Sequence, residues 1–423
     1  MAMCKYRIRG KNRITGELSI GGAKNAVLPI LAAVCLNESE NEIHNCPPIA
    51  DTFQSIKILE SIGCKVEYDG TTLKVDSSGS LSHEVPDESV SKMRSSILFM
   101  GALLGRLGKI NIAMPGGCKL GARLIDLHVD GLQKMGATIC FEGDKLRCEA
   151  KYLRGAEIHL HTPSVGATEN LMLAAVKAKG QTVIKNAARE PEIVDLAKFL
   201  AGMGAKIEGA GTSKIVISGV KTLKAGKPHR IMPDRIVAGT YLVAAAMTRG
   251  CITLHDVCPA DMAPVTERLK EMGCTIHCGV SCITLAAPER LKALPRLVTG
   301  VHPGFPTDMQ AQFVAALTIA EGVSEVKETI FESRHAHAKS LTCMGADIQI
   351  SEDFRKFVVS GKEKLYGKTV SAQDLRGGAA LILAALVAEG ETVVENAQHV
   401  ERGYACIEKD LYSLGADIVY EKG

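Results

Sequence analysis

The chain has 423 residues, too many for one hydrophobic core, so we expect two or three domains. Hydrophobic residues make up 46% of the composition and charged residues 23%, which is typical of a globular protein. With 50 basic and 47 acidic residues, the net charge of +3 argues against a face that binds nucleic acid or membrane. Any cationic site must therefore come from local clustering.

The N-terminal segment and the cysteines indicate a compartment. The segment MAMCKYRIRG lacks the apolar stretch of a secretory signal. The apolar runs LPILAAVCL and AALILAALVA fall short of the roughly 20 residues that span a membrane. The 14 cysteines are scattered without C-x-x-C pairs, which favours free thiols in a reducing environment. We therefore expect a cytoplasmic protein that does not bind membranes.

Six segments end a helical pattern with the same glycine turn, about every 70 residues. The turn glycines are Gly63, Gly136, Gly204, Gly273, Gly345 and Gly415. Each follows a helical pattern and precedes an alternating strand, which predicts a left-handed residue just after a helix. Upstream of each turn lies a second, very apolar helix that we expect to be buried on most sides. The sequence therefore predicts an α/β fold (α+β by some schemes) of six βαβαββ units with buried helices.

A count of strands places the domain boundaries. Five units continue past the glycine turn with a further strand, whereas the sixth ends at ADIVYEKG without one. The N-terminal segment KYRIRGKNRITG matches the missing strand. We therefore expect three units in residues 21–230, and three more in residues 231–423 completed by residues 1–20. The chain would cross between the domains near Gly21 and near Arg230.

One glycine-rich segment, PGGCKLGARLIDLH, carries a cysteine beside basic residues. Cys118 lies between paired glycines and the cations Lys119 and Arg123, which favours a thiolate or an anionic ligand at this position. A cysteine kept only for packing would have apolar neighbours instead.

A second glycine-rich segment, GGAKNAVLPI, places Lys24 and Asn25 at the start of the first apolar helix. Free N–H groups at a helix start attract anions. The spacing does not match a nucleotide-binding P-loop. A glycine turn followed by a solvated lysine is the alternative interpretation.

Arginines occur near helix starts and unit junctions, at Arg94, Arg123, Arg334, Arg376 and Arg402. The guanidinium group suits bidentate binding of carboxylate and phosphate. Any one of them alone is better explained as a surface charge. Five at such positions, beside two glycine-rich segments, favour an anion site.

Asp308 lies in HPGFPTDMQAQF, between a proline-glycine turn and a predicted helix. Aspartate is a common helix N-cap, which is the simpler explanation of this residue. A carboxylate at such a junction could also serve as a general base.

Several histidines and cysteines are candidate metal ligands: Cys274, Cys278, Cys282 and His277, the pair His159 and His161, and the pair His335 and His337. The cysteines lack C-x-x-C spacing and are better explained as small core thiols. Both histidine pairs alternate on presumed strands, without carboxylate or cysteine partners at a set spacing. We therefore predict no metal site.

Four motifs, GGAKNA, PGGCKLGARLIDLH, FPTDMQAQ and DLRGGA, occur together with the six units, and this combination resembles the enolpyruvyl transferases. The resemblance extends from ELSIGGAKNA to HVERGYACIE and includes NAAREPEIVD. It is closest to the branch that uses UDP-N-acetylglucosamine, because the branch acting on shikimate 3-phosphate lacks the cysteine-bearing loop. The resemblance implies a two-domain inside-out α/β barrel with the active site in the cleft between the domains.

The resemblance implies transfer of the enolpyruvyl group of phosphoenolpyruvate to the 3′-hydroxyl of UDP-N-acetylglucosamine, with release of phosphate. This is the first committed step of peptidoglycan synthesis. The implied path is addition–elimination: C3 of the enol is protonated, the hydroxyl attacks C2, and the tetrahedral adduct expels phosphate. The implied partners are these two small molecules, with no cofactor, metal, nucleic acid or membrane.

The resemblance also assigns residues. It implies that Cys118 protonates carbon and takes part in product release, and that Asp308 is the general base or positioner of the sugar hydroxyl. Lys24 and Arg402 complete the catalytic set, and Arg334 supports it. The implied phosphoenolpyruvate-binding residues are Lys24, Asn25, Arg123, Arg376 and Arg402. The implied UDP-N-acetylglucosamine-binding residues are Asn25, Arg94, Arg123, Leu124, Ile125, Asp126, Leu127, Ser164, Val165, Gly166, Asp308 and Ile330.

Two positions depart from the family pattern. Leu124 stands where the family often has proline, and Thr162 stands where many members have lysine. Both belong to the nucleotide region, so nucleotide affinity is the property they affect. Members with aspartate in place of the loop cysteine escape fosfomycin, an epoxide that alkylates that thiol. The presence of Cys118 therefore predicts sensitivity.

Two other interpretations remain at this stage. A non-catalytic ring of repeats that binds a polyanion, as sliding clamps do, predicts a strongly positive charge, which the balance of +3 disfavours. An enzyme of the same fold with another acceptor would release phosphate only with a different hydroxyl substrate.

Overall fold

Strands and helices alternate throughout the part of the chain that the computed structural model describes, residues 4–90, 93–114, 116 and 125–423. The strands are β1 (Lys5–Arg9), β2 (Thr15–Ser19), β3 (Glu40–His44), β4 (Lys65–Tyr68), β5 (Leu73–Asp76), β6 (Lys109–Ala113), β7 (Thr138–Glu142), β8 (Lys145–Glu149), β9 (Glu157–His159), β10 (Gln181–Lys185), β11 (Lys206–Glu208), β12 (Lys214–Ser218), β13 (His229–Arg230), β14 (Cys251–His255), β15 (Thr275–Cys278), β16 (Cys282–Ala286), β17 (Arg296–Val298), β18 (Val323–Lys327), β19 (Asp347–Ile350), β20 (Lys356–Ser360), β21 (Thr369–Ser371), β22 (Glu391–Glu395) and β23 (Asp417–Glu421).

The α-helices are α1 (Lys24–Ala33), α2 (Ala50–Ser61), α3 (Asp87–Val90), α4 (Leu98–Leu107), α5 (Asp126–Lys134), α6 (Val165–Ala175), α7 (Pro191–Gly202), α8 (Arg235–Met247), α9 (Pro259–Glu271), α10 (Gln310–Leu317), α11 (Ala336–Cys343), α12 (Leu375–Ala385) and α13 (Ile407–Ser413). Short 3₁₀ turns occur at Val34–Leu36, Arg94–Ile97, Thr307–Met309 and Ala397–His399. Within the described residues, no helix is both long and apolar enough to cross a membrane.

The described residues divide into two units, each with its own hydrophobic core. Of the described residues, the N unit contains 22–90, 93–114, 116 and 125–232, and the C unit contains 4–21 and 233–423. The sheets of the N unit have the strand orders β13-β3-β5-β4, β6-β8-β7 and β9-β10-β12-β11. Those of the C unit have the orders β2-β14-β16-β15, β17-β18-β20-β19 and β21-β22-β1-β23. In each four-stranded sheet the first strand is parallel to the second, and the other neighbours are antiparallel.

The N-terminal strand β1 takes the third position of the last sheet of the C unit. Tyr6 is paired with Val394 on one side and with Tyr420 on the other, both antiparallel. The same position is held by β16 and β20 in the other two sheets of this unit. The strand that would follow β23 in this repeat is thus supplied from the beginning of the chain.

The predicted glycine turns are confirmed. All six turn glycines have positive φ, from 93° at Gly136 to 106° at Gly63, a conformation that residues with a Cβ adopt only at a cost. The apolar helices upstream of the turns, α1, α4, α6, α8, α10 and α12, are buried along most of their length, as their lack of a polar face predicts.

Four strands are each followed directly by an asparagine or aspartate with left-handed backbone: Asn45, Asn186, Asp256 and Asn396. These residues tolerate positive φ because their short polar side chains can bond to nearby backbone. The Asn45 amide donates to the carbonyl of Ile231 at 2.9 Å, so it fastens the end of β3 to the segment after β13.

Three local predictions are wrong. His159 and His161 do not share a strand, because β9 ends at His159. His335 and His337 do not alternate on a strand, because α11 begins at Ala336 and carries His337 in its first turn. A spacing of two residues alone does not exclude a helix start. Cys278 is exposed, so it is not a core thiol, whereas Cys274 is buried.

Candidate active site

Lys24 is the first residue of α1 in the N unit, and it is not a solvated lysine. Only 8% of the residue is exposed, and its Nζ lies 2.6 Å from Asp51 Oδ2 in the first turn of α2. Asp51 is also buried. A buried ammonium needs such a partner, because desolvation alone would favour its neutral form. Asn25 follows as the second residue of the helix and is half-buried.

A close backbone approach places this helix start. A Cβ on Gly22 would lie 1.8 Å from the carbonyl oxygen of Asn45, which no side chain could tolerate. Ala23 N–H donates to the carbonyl of Met232 at 2.8 Å. The glycine before Lys24 is therefore a packing requirement, and it fixes where the ammonium enters the unit.

Six of the residues predicted to bind the nucleotide sugar lie at the starts of two helices of the N unit that pack together. Ile125 precedes α5, which begins with Asp126 and Leu127, and Ser164 precedes α6, which begins with Val165 and Gly166. The hydroxyl of Ser164 caps α6 by accepting from Ala167 N–H at 3.3 Å. The remaining N–H groups of helix starts favour an anionic group such as a diphosphate.

Sequence reasoning missed His128, which connects these two helices. Its Nδ1 accepts from the amide of Asn170 on α6 at 2.9 Å, which places its Nε2 as the protonated nitrogen. The start of α6 at Gly166 lies against this ring, since a Cβ built on Gly166 would be 3.4 Å from His128 Cε1, an ordinary van der Waals contact. Burial, and then the nearby Arg94, lower the pKa of His128 to about 4, so the ring is neutral at pH 7. Burial also lowers the pKa of Arg94, which leads into α4.

The C unit brings together Asp308, Arg334 and Arg376. Asp308 Oδ1 lies 2.9 Å from Arg334 Nη1, and Oδ2 lies 3.5 Å from Arg376 Nη2. The two arginine side chains are 4% exposed and the aspartate side chain is 25% exposed. Asp308 does not cap a helix, because Pro306 and Met309 occupy the two cap positions and neither helix start has a side-chain cap.

Neighbouring structure orients both arginines. Asp374 caps α12 by accepting from the backbone N–H groups of Arg376 at 3.0 Å and Gly377 at 2.9 Å, which fixes the position of Arg376 in the first turn. The guanidinium of Arg334 stacks on the ring of Phe331, with Cζ 4.7 Å from the ring centroid.

These cations determine the charge of Asp308. Burial acts to raise the pKa of this carboxyl group, but Arg376, Arg334 and Arg235 together outweigh burial and hold the pKa well below its usual range. The carboxylate is therefore ionised at every physiological pH. Arg235, at the start of α8, was missed because a single arginine after MPD carries no distinctive sequence signal.

Two buried donors of this group have no acceptor within the part of the chain that the structure describes: Arg334 Nε and Arg376 Nη1. An unpaired buried N–H of a charged group costs free energy, and an anionic ligand would remove that cost. The geometry thus provides a carboxylate acceptor beside guanidinium donors suited to an anion.

The remaining predicted site residues are placed as follows. Arg402 follows the turn Ala397–His399. Burial lowers the pKa of the His399 imidazole, and the nearby charge of Arg402 lowers it further. Ile330 is exposed by 37% and its backbone N–H donates to Glu328. Cys118, Arg123 and Leu124 lie outside the described residues. Among those that are described, no three histidine, cysteine, aspartate or glutamate side chains are arranged to hold a metal ion.

Comparison with known proteins decides the family. The family model for EPSP synthase (3-phosphoshikimate 1-carboxyvinyltransferase) matches residues 8–411. The UDP-N-acetylglucosamine 1-carboxyvinyltransferase 2 of Caldanaerobacter subterraneus subsp. tengcongensis is 52% identical over 417 residues, which cover 99% of each chain. The UDP-N-acetylglucosamine 1-carboxyvinyltransferase of Myxococcus xanthus is 45% identical and covers 99% of this chain and 100% of its own. The chain belongs to the enolpyruvyl transferase family.

A solved structure agrees with this membership. The enolpyruvyl transferase NikO from Streptomyces tendae superposes with a TM-score of 0.90 at 25% identity and covers 100% of both chains. The prediction of a two-domain α/β fold of enolpyruvyl transferase type is confirmed by this match. As a member of the family the chain is an enzyme, and the prediction of a transferase is also confirmed.

Proposed function

We propose that this enolpyruvyl transferase transfers the enolpyruvyl group of phosphoenolpyruvate to the 3′-hydroxyl of UDP-N-acetylglucosamine and releases phosphate. Relatives named for this acceptor and 45 to 52% identical over almost the whole chain support the choice of substrates. The observation that carries the proposal is the Asp308 group, in which an ionised carboxylate lies beside two buried guanidinium groups with unfilled donors.

The cationic residues bind the two anionic substrates in this proposal. Arg376 and Arg402, together with Lys24 and Arg123, hold phosphoenolpyruvate, and Asn25 contacts both substrates. Guanidinium and ammonium groups neutralise the phosphate and carboxylate and stabilise the charge that develops as phosphate leaves. The buried position of Lys24 beside Asp51 supports this role, because the ion pair offsets the cost of burying the ammonium group.

The nucleotide sugar binds at the starts of α5 and α6 through Arg94, Arg123, residues 124–127 and residues 164–166, and Ile330 is a further proposed binding residue. Two helix N-termini and a nearby arginine support binding of a diphosphate. Leu124 and Thr162 are the positions at which affinity should differ from that of relatives with proline and lysine there.

Asp308 accepts a hydrogen bond from the sugar 3′-hydroxyl and orients it toward C2. Its depressed pKa supports orientation more than early proton abstraction, because a weakly basic carboxylate takes a proton readily only once the C–O bond is forming. Arg334 holds the carboxylate in place.

Cys118 supplies the proton that C3 of phosphoenolpyruvate needs. The new C–O bond forms at C2 as the hydroxyl passes its proton to Asp308. The tetrahedral adduct then returns a proton from C3 to the Cys118 thiolate and expels phosphate, which takes the proton held by Asp308. The alkene is restored, and atoms and charge balance without any redox step. We further propose that the reaction serves peptidoglycan synthesis in the cytoplasm and that its partners are these two small molecules.

Incubation of the purified chain with both substrates tests the proposal. We expect phosphate release that requires UDP-N-acetylglucosamine, together with a product heavier than that nucleotide sugar by one enolpyruvyl group. Shikimate 3-phosphate in place of the nucleotide sugar serves as the control. Phosphate release with the shikimate compound would contradict the proposed acceptor. A failure to release phosphate with either compound would contradict it as well.

Cys118→Asp is expected to keep measurable turnover and to abolish inactivation by fosfomycin, because a carboxylic acid can donate a proton but is not alkylated as a thiolate is. Phosphate release before and after incubation with the epoxide measures both properties. Cys251→Ser, at an exposed cysteine, is the control and should stay sensitive. Inactivation of the aspartate variant by fosfomycin would show that another group is the target.

A further inference from the structure

Glu328, directly after β18, has a buried carboxylate that accepts four hydrogen bonds. The residue is 1% exposed. Its Oε1 accepts from Thr299 Oγ1 at 2.9 Å and from the backbone N–H groups of Ile330 at 2.8 Å and Phe331 at 3.1 Å. Its Oε2 accepts from Thr307 Oγ1 at 2.8 Å. Buried carboxylates are rare without such pairing, and here the partners are hydroxyl and amide groups.

The hydroxyl of Thr307 connects Glu328 to the candidate active site. It donates to Glu328 and accepts from Arg334 Nη1 at 3.1 Å. The same Nη1 donates to Asp308 Oδ1 at 2.9 Å. The carboxylate of Glu328 therefore sets the direction of the Thr307 hydroxyl, and that hydroxyl presents a lone pair to Arg334.

The other oxygen of Glu328 fixes the loop after β18. It holds the backbone of Phe331, whose ring lies beneath the guanidinium of Arg334, and the backbone of Ile330. Thr299 secures the same loop, because its Oγ1 also accepts from Thr329 N–H at 2.9 Å. Two of the contacts that hold Arg334, the Thr307 hydroxyl and the Phe331 ring, thus depend on one carboxylate, while the backbone carbonyl of Thr307 is a further acceptor for the same guanidinium.

We propose that Glu328 is a positioning residue for the transfer reaction, which aligns Arg334 and through it Asp308, and which also fixes the backbone of Ile330. It does not touch substrate itself. The inference rests on the proposed function, because its effect is expressed as loss of turnover with phosphoenolpyruvate and UDP-N-acetylglucosamine.

A glutamine at position 328 keeps the shape of the side chain. It removes the negative charge and replaces one acceptor oxygen with an NH₂ donor. If its oxygen keeps the contacts of Oε1, its NH₂ group faces Thr307 and donates where the carboxylate accepted. The Thr307 hydrogen must then turn toward Arg334, so that two donors oppose each other. Arg334 is displaced from Asp308 although the fold keeps its packing.

The experiment measures kcat and KM for both substrates in Glu328→Gln, Thr307→Val, the double variant and Thr307→Ser. We expect kcat to fall about 10²-fold in each of the first two, since small misplacements in an active site have effects of this size. The double variant should be little worse than either single one, because both remove the same connection. Thr307→Ser retains the hydroxyl and should stay near the wild type.

A control variant and the thermal stability of each variant distinguish the positioning role from a purely structural one. Asp410 accepts from the hydroxyl of Tyr241 at 2.5 Å elsewhere in the C unit, so Asp410→Asn also perturbs a carboxylate that a hydroxyl contacts. We expect that variant to lose thermal stability with kcat unchanged. The positioning role is wrong if Glu328→Gln also loses thermal stability with kcat unchanged. It is also wrong if the fold-losses in kcat of Glu328→Gln and Thr307→Val multiply in the double variant. A wild-type chain that releases no phosphate contradicts the proposed function and this inference with it.

Discussion

Asp308→Asn is expected to lower the rate of phosphate release at saturating substrates by about 10³-fold, within the range for loss of a positioned acid–base group. The amide preserves the size of the side chain but removes the charge that balances Arg334 and Arg376. Its NH₂ group also presents donors to two guanidinium groups that need an acceptor. Both the orientation of the sugar hydroxyl and the placement of the arginines should suffer.

A stopped assay of phosphate release, with kcat and KM determined for each substrate, measures this effect. Asp353→Asn is the matched control, because Asp353 is an exposed aspartate of the same unit whose hydrogen-bond partners among the described residues, Ser351 and Arg355, lie in its own loop. That variant should keep wild-type turnover. A turnover of Asp308→Asn within threefold of the wild type would contradict the role of the carboxylate.

The pH dependence of stability gives a second result for the same variant. The pKa of Asp308 in the folded state lies below the value of about 4 expected in the unfolded chain. The ionised form therefore contributes stability that is fully present above about pH 4 and is lost as the pH falls toward the folded-state pKa. The difference in free energy of unfolding between wild type and Asp308→Asn should be largest at neutral pH and should shrink in acid. A difference that does not change with pH would contradict the assigned shift.

The sequence predicts the repeat well because its signals are local. Each turn glycine follows a helix pattern by a fixed spacing, and the left-handed backbone at that point depends on a few neighbouring residues. The place of β1 could be predicted from a count of strands, without any contact being known. The histidines at 335 and 337 show the limit of this reasoning, because a spacing of two residues fits both a strand and the edge of a helix.

The contacts within the candidate site could not be predicted from local sequence spacing. Asp308 is paired with residues that are 26 and 68 positions away in the chain, and no spacing announces such pairs. The resemblance to the family named the residues, but not their contacts. Asp51, Arg235 and Glu328 were missed because a single charged residue in a polar stretch is usually a surface group. Burial and hydrogen bonds distinguish them only once the fold is known.

Gly22→Ala is expected to lower the free energy of unfolding by about 3 kcal/mol and turnover by about 10²-fold. The new Cβ would lie 1.8 Å from the carbonyl oxygen of Asn45, so the backbone on one side must move. Asn45 cannot give way easily, because it has a φ of 56° and its amide is bonded to Ile231. The movement should therefore fall on the start of α1 and displace Lys24 from Asp51.

The adjacent glycine provides a control for this prediction. Apart from its chain neighbours, no heavy atom within the described part of the chain lies within 4 Å of a Cβ built on Gly21, and its φ is not in the left-handed region. Gly21→Ala should therefore change the free energy of unfolding by no more than about 0.5 kcal/mol and leave turnover near the wild type. Urea unfolding and phosphate release measure both variants. Equal effects at positions 21 and 22 would mean that chain flexibility, and not the approach of Asn45, determines the need for glycine before Lys24.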